Sequence, residues 1–293
     1  MTCWTLTHSH ISRNRLRVRA GTMTDLWASV AVLCAAVLLC ETLRRAGARV
    51  LAGAGWLYLL EAVSTFQLCC CTHELKLLGE MAPPEPALGL TLTYMMTVVH
   101  VLTFREATCN PAAALEKVCR GTSSLKAAAR VVACQFGAAF AARFFARSVW
   151  SLGLSDSHVR HQKFGFRCFD PLGGTLLEAA GAELACAFAF QAVVMHAHRV
   201  DEKLRVHVIA GVVTAAVYAA GNLSGAVFNP VLAFSLQFPC SGHSYLEYCF
   251  VYWLGPALGM ASCILLFEKI LPFLSGRNAA EADRPEVRKQ KMQ

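Results

Sequence analysis

Between Val208 and Cys240 the chain runs for 33 residues without a formal charge, and Asn229-Pro230 stands well inside that run, in the stretch GNLSGAVFNPVLAFSLQF. One membrane span needs about 20 apolar residues, so the run is too long for one helix and too short for two. Pro breaks a helix interior, and Asn is a poor guest in hydrocarbon. A chain with this stretch must interrupt its helix at depth and restart it. Pro230 at the first position of the new helix lacks only an N–H that would be unpaired anyway.

Composition sets the surroundings. Of the 293 residues 56% are apolar and only 16% charged, where a soluble domain carries about 25%. The chain therefore reads as an all-α integral membrane protein. Fourteen cysteines are present, but Cys69, Cys70 and Cys71 are consecutive and most others sit in apolar runs. No CxxC pairs with a second CxxC or with a His pair, so no zinc site is expected, and most cysteines read as small apolar fillers. The formal charge of +8 marks cytoplasmic loops rather than a nucleic-acid partner.

Six segments of spanning length follow residue 49, at roughly 50–72, 86–104, 127–154, 174–197, 206–222 and 248–267. If they alternate from a cytoplasmic start, the inside regions hold 17 basic residues. The outside loops hold four, Lys76, Arg160, Lys163 and Arg167. That bias predicts six spans with a cytoplasmic C-terminus. Residues 1–49 form an N-terminal tail, 50–273 a channel domain and 274–293 a basic tail. The tail holds a shorter apolar stretch, Leu26 to Cys40, only 15 residues long. Spanning would put Arg13, Arg15, Arg17 and Arg19 outside, and the sequence leaves open whether the stretch spans or lies on the membrane.

The channel domain repeats. Glu61-Ala-Val-Ser-Thr-Phe66 in the first segment matches Glu183-Leu-Ala-Cys-Ala-Phe188 in the fourth. Asn110-Pro111-Ala112 follows the first Glu by 49 residues, and Asn229-Pro230-Val231 follows the second by 46. Each half, 50–154 and 174–273, reads as a span with Glu, a span, an Asn-Pro half-helix and a span. With three spans per half the second copy enters upside down, and such inverted repeats build a pathway at the bilayer midplane. A lone Asn-Pro would read as a kinked helix; the symmetric pair reads as two half-helices, each about 15 Å long. Asn110 and Asn229 are then N-caps with their NH₂ groups free as donors. Two positive helix ends meeting there would accept a permeating oxygen and repel a cation. Glu61 and Glu183 read as clamps that accept the N–H groups of the non-helical backbone leading into each half-helix. Without a chain of Asp or His beside them, a proton relay is the weaker reading.

These residues resemble the aquaporin family, with its two Asn-Pro-Ala boxes and its Glu in the first and fourth spans, over about residues 50 to 273. TFQLCCCTHEL at 65–75, WSLGL at 150–154, LSGAVFNP at 223–230 and VYWLGPALG at 251–259 are similar to the family's unorthodox intracellular branch, the superaquaporins. The resemblance implies six spans plus two re-entrant half-helices, one pore per subunit and homotetramers in membrane lipid. It implies passive passage of water and small neutral solutes such as glycerol or hydrogen peroxide, with no enzyme activity and no cofactor. It also implies a role in assembly or activity for Cys240, nine residues past Val231. The second box departs from the family as Asn-Pro-Val. The family's Arg after that box is here Leu232, with Ala113 in the matching place of the first half. Ala226 and Val217, or its neighbour Tyr218, are expected to line the filter with Leu232, leaving it more apolar and less strict for water. Arg143 and Arg147, one turn apart on the third span, are read as snorkelling or paired rather than as a substitute filter charge.

Three readings stay open. Cys168 and Cys240 both fall on the outer side, but spacing cannot show whether they bond. A poorly conducting membrane scaffold or an ion-coupled transporter would be built from the same spans. Lys289 and Lys291 near the end of the tail resemble a dilysine retrieval signal and point to the endoplasmic reticulum.

Overall fold

In a lipid environment each backbone N–H and C=O must find a partner within the protein, so helices carry the whole chain. The computed structural model describes residues 3–238 and 240–275, with side chains from residue 23 onward. The Lys289/Lys291 tail lies outside the described residues. Ten helices follow in order: α1 (Cys3–Val50), α2 (Gly53–Met81), α3 (Pro86–Phe104), α4 (Pro111–Cys119), α5 (Leu125–Ser151), α6 (Asp156–Lys163), α7 (Leu176–His196), α8 (Glu202–Ser224), α9 (Pro230–Leu236) and α10 (Tyr245–Leu274). No strand occurs among the described residues.

The starts follow local chemistry. Ser124 caps α5, and Thr175–Glu178 and Ser244–Glu247 form reciprocal capping boxes at the heads of α7 and α10. α8 stops at Gly225, whose φ of +83° ends the helix in the left-handed conformation glycine favours. α10 carries Pro256 and Pro272, and each is preceded by a π-helical turn, Phe250–Leu254 and Leu266–Ile270. The wider turn accommodates a ring that cannot donate to the preceding carbonyl.

Seven of these helices are long and apolar enough to cross a membrane, and the Met23–Val50 part of α1 is one of them by length and composition. Helix continues from Met23 to Val50, 28 residues, because its polar flanks find partners on the bundle. At one end Asp25 accepts the Ser157 N–H (2.9 Å) and Ser29 donates to Glu74 (2.7 Å). At the other, buried Arg44 donates to Gln67 (2.6 Å) and pairs with Glu41 (3.1 Å). From Met23 on, α1 thus runs antiparallel to α2, with Asp25 beside α6 and Glu41 beside Arg105 in the loop after α3.

Six spans and two short helices form the two halves. α2 packs on α3 and α5 in the first, α7 on α8 and α10 in the second, and α3 meets α8 between them. The short helices cross over: α9 packs against α2 and α5, and α4 touches α10. Their far ends point to opposite ends of the bundle. Lys76, late in α2, holds the Gln237 side chain just past α9 (2.6 Å), while Arg120, just past α4, pairs with Glu268 late in α10 (2.5 Å).

α7 and α10 approach closely because α10 presents Gly255 and Gly259 at the contact. A Cβ on Gly259 would stand 2.2 Å from the Leu184 carbonyl oxygen, and one on Gly255 2.9 Å from that of Ala180. Small residues four apart are how membrane helices bring their backbones together. Gly259→Leu should therefore lower the melting temperature in detergent by the equivalent of about 1–3 kcal/mol. Gly137→Ala, where a Cβ meets nothing within 4 Å, should leave it equal or higher.

Candidate functional site

The centre of the bundle is the place where the chain leaves helical geometry twice. Residues Cys109 and Phe228, immediately before the two Asn residues, both have positive φ (53° and 35°). A bulky residue in that region is strained and persists only if its surroundings over-determine it. The determinant is a buried carboxylate. Glu61, 3% exposed, accepts the Thr108 N–H (2.9 Å) and hydroxyl (3.0 Å) and the Cys109 N–H (3.0 Å). Glu183, fully buried, accepts the Val227 N–H (2.9 Å), the Phe228 N–H and the Ser224 hydroxyl (2.6 Å). The two carboxylates take the same pair of N–H groups, two and one residues before each Asn, although the spacings differ by three residues.

From there each half-helix begins. The Asn110 side-chain oxygen accepts from the Ala112 N–H (3.0 Å), and the Asn229 oxygen from the Val231 and Leu232 N–H groups (3.1 and 3.4 Å). The amide nitrogens reach across to the opposite loop. Asn229 Nδ2 donates to the Cys109 carbonyl (2.7 Å) and Asn110 Nδ2 to the Phe228 carbonyl (3.5 Å). Each strained residue thus gives its N–H to a Glu of its own half and its C=O to an Asn of the other half. An Asn amide has two hydrogens, so one per residue remains after the cross-tip bond. Both helix N-termini aim their positive ends at this point.

The other sequence candidates separate. Ala226 and Val217 share a cluster with Cys186, Ala220 and Phe228, whereas Tyr218, the next residue on α8, is 75% exposed. Leu232 is not in that cluster; it is buried with Val231 and Ala233 in the main core. Ala113 is half-buried on α4. Cys168 and Cys240 are disulfide-bonded, tying the loop before α7 to the loop before α10, and the Ser241 N–H donates to the Cys168 carbonyl (3.1 Å). Arg143 and Arg147 stack on Phe140 and Phe166 rather than reaching the tips. Two histidines elsewhere in the spans pack on rings as well, His100 on Phe104 and His196 edge-on to Phe267. Among the described residues no His, Cys, Asp or Glu group could hold a metal ion.

Two residues of the site escaped sequence reasoning. Gln135, completely buried on α5, donates to Glu61 (3.1 Å), and Ser224 bridges Glu183 to the Ala226 N–H (3.2 Å). An amide inside an apolar span was the available signal for Gln135. Ser224, inside the uncharged run and ahead of the second box, offered no comparable signal.

Glu61→Gln and Glu183→Gln replace an acceptor of two N–H groups by one that must turn a donor toward one of them. Each should cost about 1–3 kcal/mol, read as a lower melting temperature in detergent. Replacing the exposed Glu85, ahead of α3, should change little.

Comparison with known proteins agrees with this geometry. The Major intrinsic protein family model matches residues 50–267. Aquaporin-11 of Homo sapiens is 41% identical over 217 residues, covering 74% of this chain and 79% of its own. Aquaporin-12 of Mus musculus is 34% identical over 261 residues, covering 87% of this chain and 90% of its own. The X-ray structure of the aquaglyceroporin from Plasmodium falciparum superposes with a TM-score of 0.59 at 16% identity, over 74% of this chain and 97% of that one, a likeness of fold. Two carboxylate-clamped loops, two Asn-capped half-helices meeting at their tips and these matches lead to one conclusion: the chain is a multi-pass membrane channel protein that belongs to the Major intrinsic protein family, the aquaporins.

Proposed function

We propose that the chain forms a passive pore for water and small neutral solutes, glycerol and hydrogen peroxide among them, in the membrane of the endoplasmic reticulum. The observation that carries the reading is the tip contact, where Asn110 and Asn229 each keep one amide hydrogen beyond the bond to the opposite loop. Those two donors stand where two helix N-termini converge. A neutral oxygen-bearing solute gains two hydrogen bonds there, while a cation meets two positive dipole ends.

The breadth of solutes rests on Leu232. With an apolar side chain where orthodox water channels resemble one another in carrying Arg, the entrance loses a fixed charge and a set of donors. Ala226 and Val217, small and apolar, form a separate cluster with Cys186, Ala220 and Phe228 beside the loop that leads to Asn229. Polar demands on a permeant are thereby reduced, which favours molecules with some apolar surface. Location rests on the sequence of the tail, where Lys289 and Lys291 form a dilysine pattern on the side assigned to the cytosol. Family resemblance supports a homotetramer with one pore in each subunit.

A second reading is a scaffold with little conductance. It is favoured by the burial of Asn229 and Leu232, which leaves the second half-helix closely packed. Purified protein in liposomes separates the two. Osmotic shrinkage, glycerol entry and peroxide entry should exceed those of empty vesicles. Asn229→Asp, which replaces a donor by an acceptor at the tip, should slow them about tenfold, the worth of one hydrogen bond. Rates equal to empty vesicles would favour the scaffold, and rates that require an ion gradient would favour a transporter.

A further inference from the structure

The inverted repeat builds two cavities that correspond to each other. One lies at the end of the bundle that the charge bias assigns to the outside, between α2 and α5 beside the end of α9, and has a volume of ≈ 180 Å³. The other lies at the inner end, between α7 and α10 beside the end of α4, with a volume of ≈ 440 Å³. Both flank a half-helix at the end remote from its Asn tip. Their charges differ. The inner cavity is balanced: Arg120 pairs with Glu116 (2.6 Å) and with Glu268 (2.5 Å), and Arg199 is the one further fixed cation.

The outer cavity is not balanced. Lys76, Arg143 and Arg147 line it against a single carboxylate, Glu80, whose distance to Lys76 is 3.8 Å. The two arginines sit one turn apart on α5, and among the described residues neither has a carboxylate partner. Their side chains lie over rings instead, Arg143 over Phe140 (6.0 Å) and Arg147 over Phe166 (5.3 Å). Ring faces hold a guanidinium plane while leaving its N–H edge free. The wall also contains His161, only 5% exposed, whose Nδ1 has no hydrogen-bond partner. Burial first, then the charges of Arg147, His158 and Lys76, hold the His161 imidazole below its ordinary range, so it stands as a neutral group beside the cations.

From this geometry we infer that the outer cavity is a binding site for a phosphate group, held between Arg143 and Arg147 with Lys76 behind. Two guanidinium forks one helical turn apart match the several oxygens of a tetrahedral oxyanion, which a single carboxylate would not fill. The excess of cations over Glu80 leaves room for one or two negative charges. The same cavity borders the outward face of α5, where Phe140 and Phe144 are about half exposed. A phospholipid whose headgroup phosphate enters the cavity would lay an acyl chain along those rings. Free phosphate has the same headgroup chemistry without the chain.

Purified full-length protein in detergent tests this by native mass spectrometry and thermal melting with three probes: phosphatidic acid, phosphatidylcholine and inorganic phosphate. Wild type should retain phosphatidic acid and gain melting temperature from it. Arg143→Gln/Arg147→Gln should weaken retention at least about tenfold, the worth of one charge-assisted hydrogen bond. Arg143→Lys/Arg147→Lys should recover part of it. Glu80→Gln, which removes the competing carboxylate, should tighten it, and this variant keeps the test available if the double Gln variant does not fold. A response to phosphatidic acid with none to inorganic phosphate assigns the site to lipid; an equal response to both assigns it to free phosphate. A response to phosphatidylcholine as well shows that the phosphate diester alone suffices. Retention unchanged in the folded double Gln variant, or in Glu80→Gln, would overturn the site, as would a wild type that binds none of the three.

Discussion

Two carboxylates make the rest of this structure possible. Where backbone leaves helical geometry inside a membrane, its N–H groups have no water to turn to, and each one left bare costs several kcal/mol. Glu61 and Glu183 take two of them each, at equivalent positions in the two halves. Once those N–H groups are held, Cys109 and Phe228 can sit in left-handed conformations that would otherwise be unfavourable. Their carbonyls then face the opposite loop, where Asn229 and Asn110 meet them. The tip contact is a consequence of the clamps, and the pore chemistry is a consequence of the tip contact.

The extra N-terminal helix follows the same economy. Its polar residues are placed where the bundle offers a partner: Ser29 shares Glu74 with Trp150 (2.8 Å) and His158 (3.1 Å). This buried carboxylate joins α1, α2, α5 and α6. Arg44 does the corresponding work near the other end by meeting Gln67, which in turn donates to Thr103 on α3 (3.1 Å). Together these contacts attach α1 to the first half and to α6 behind it, so the two halves of the repeat are alike in their pore-forming elements and unlike in their flanks. The outer and inner cavities carry the same asymmetry in charge, cation-rich in one and balanced in the other.

How much of this was legible in the sequence depends on whether a feature repeats. The Glu and Asn-Pro pairs announce themselves because each occurs twice at similar spacing, and the all-helical membrane class follows from composition. Gln135 and Ser224 have no such echo: one half supplies its second donor from α5, the other from the end of α8, so self-comparison passes over both. Leu26 to Cys40 looked too short because sequence counts apolar residues, whereas the helix is extended by Asp25, Glu41 and Arg44, polar residues whose partners lie far along the chain. The Cys168–Cys240 bond is likewise a matter of proximity across 72 residues, which no local pattern encodes. The different neighbourhoods of Leu232 and Val217 depend on helix rotation, which the sequence constrains only through which face is apolar.

The most direct test is the distance between the far ends of the two half-helices. Spin labels at the exposed Cys119, closing α4, and at Tyr245→Cys, after the loop that follows α9, report it in a background whose other accessible cysteines are replaced. Half-helices of nine and seven residues meeting at their tips span about 24 Å together, so labels just beyond their far ends should stand at least about 24 Å apart. A distance below about 15 Å would mean that both enter from one face, and neither the clamped tips nor a conduit between them would survive that result.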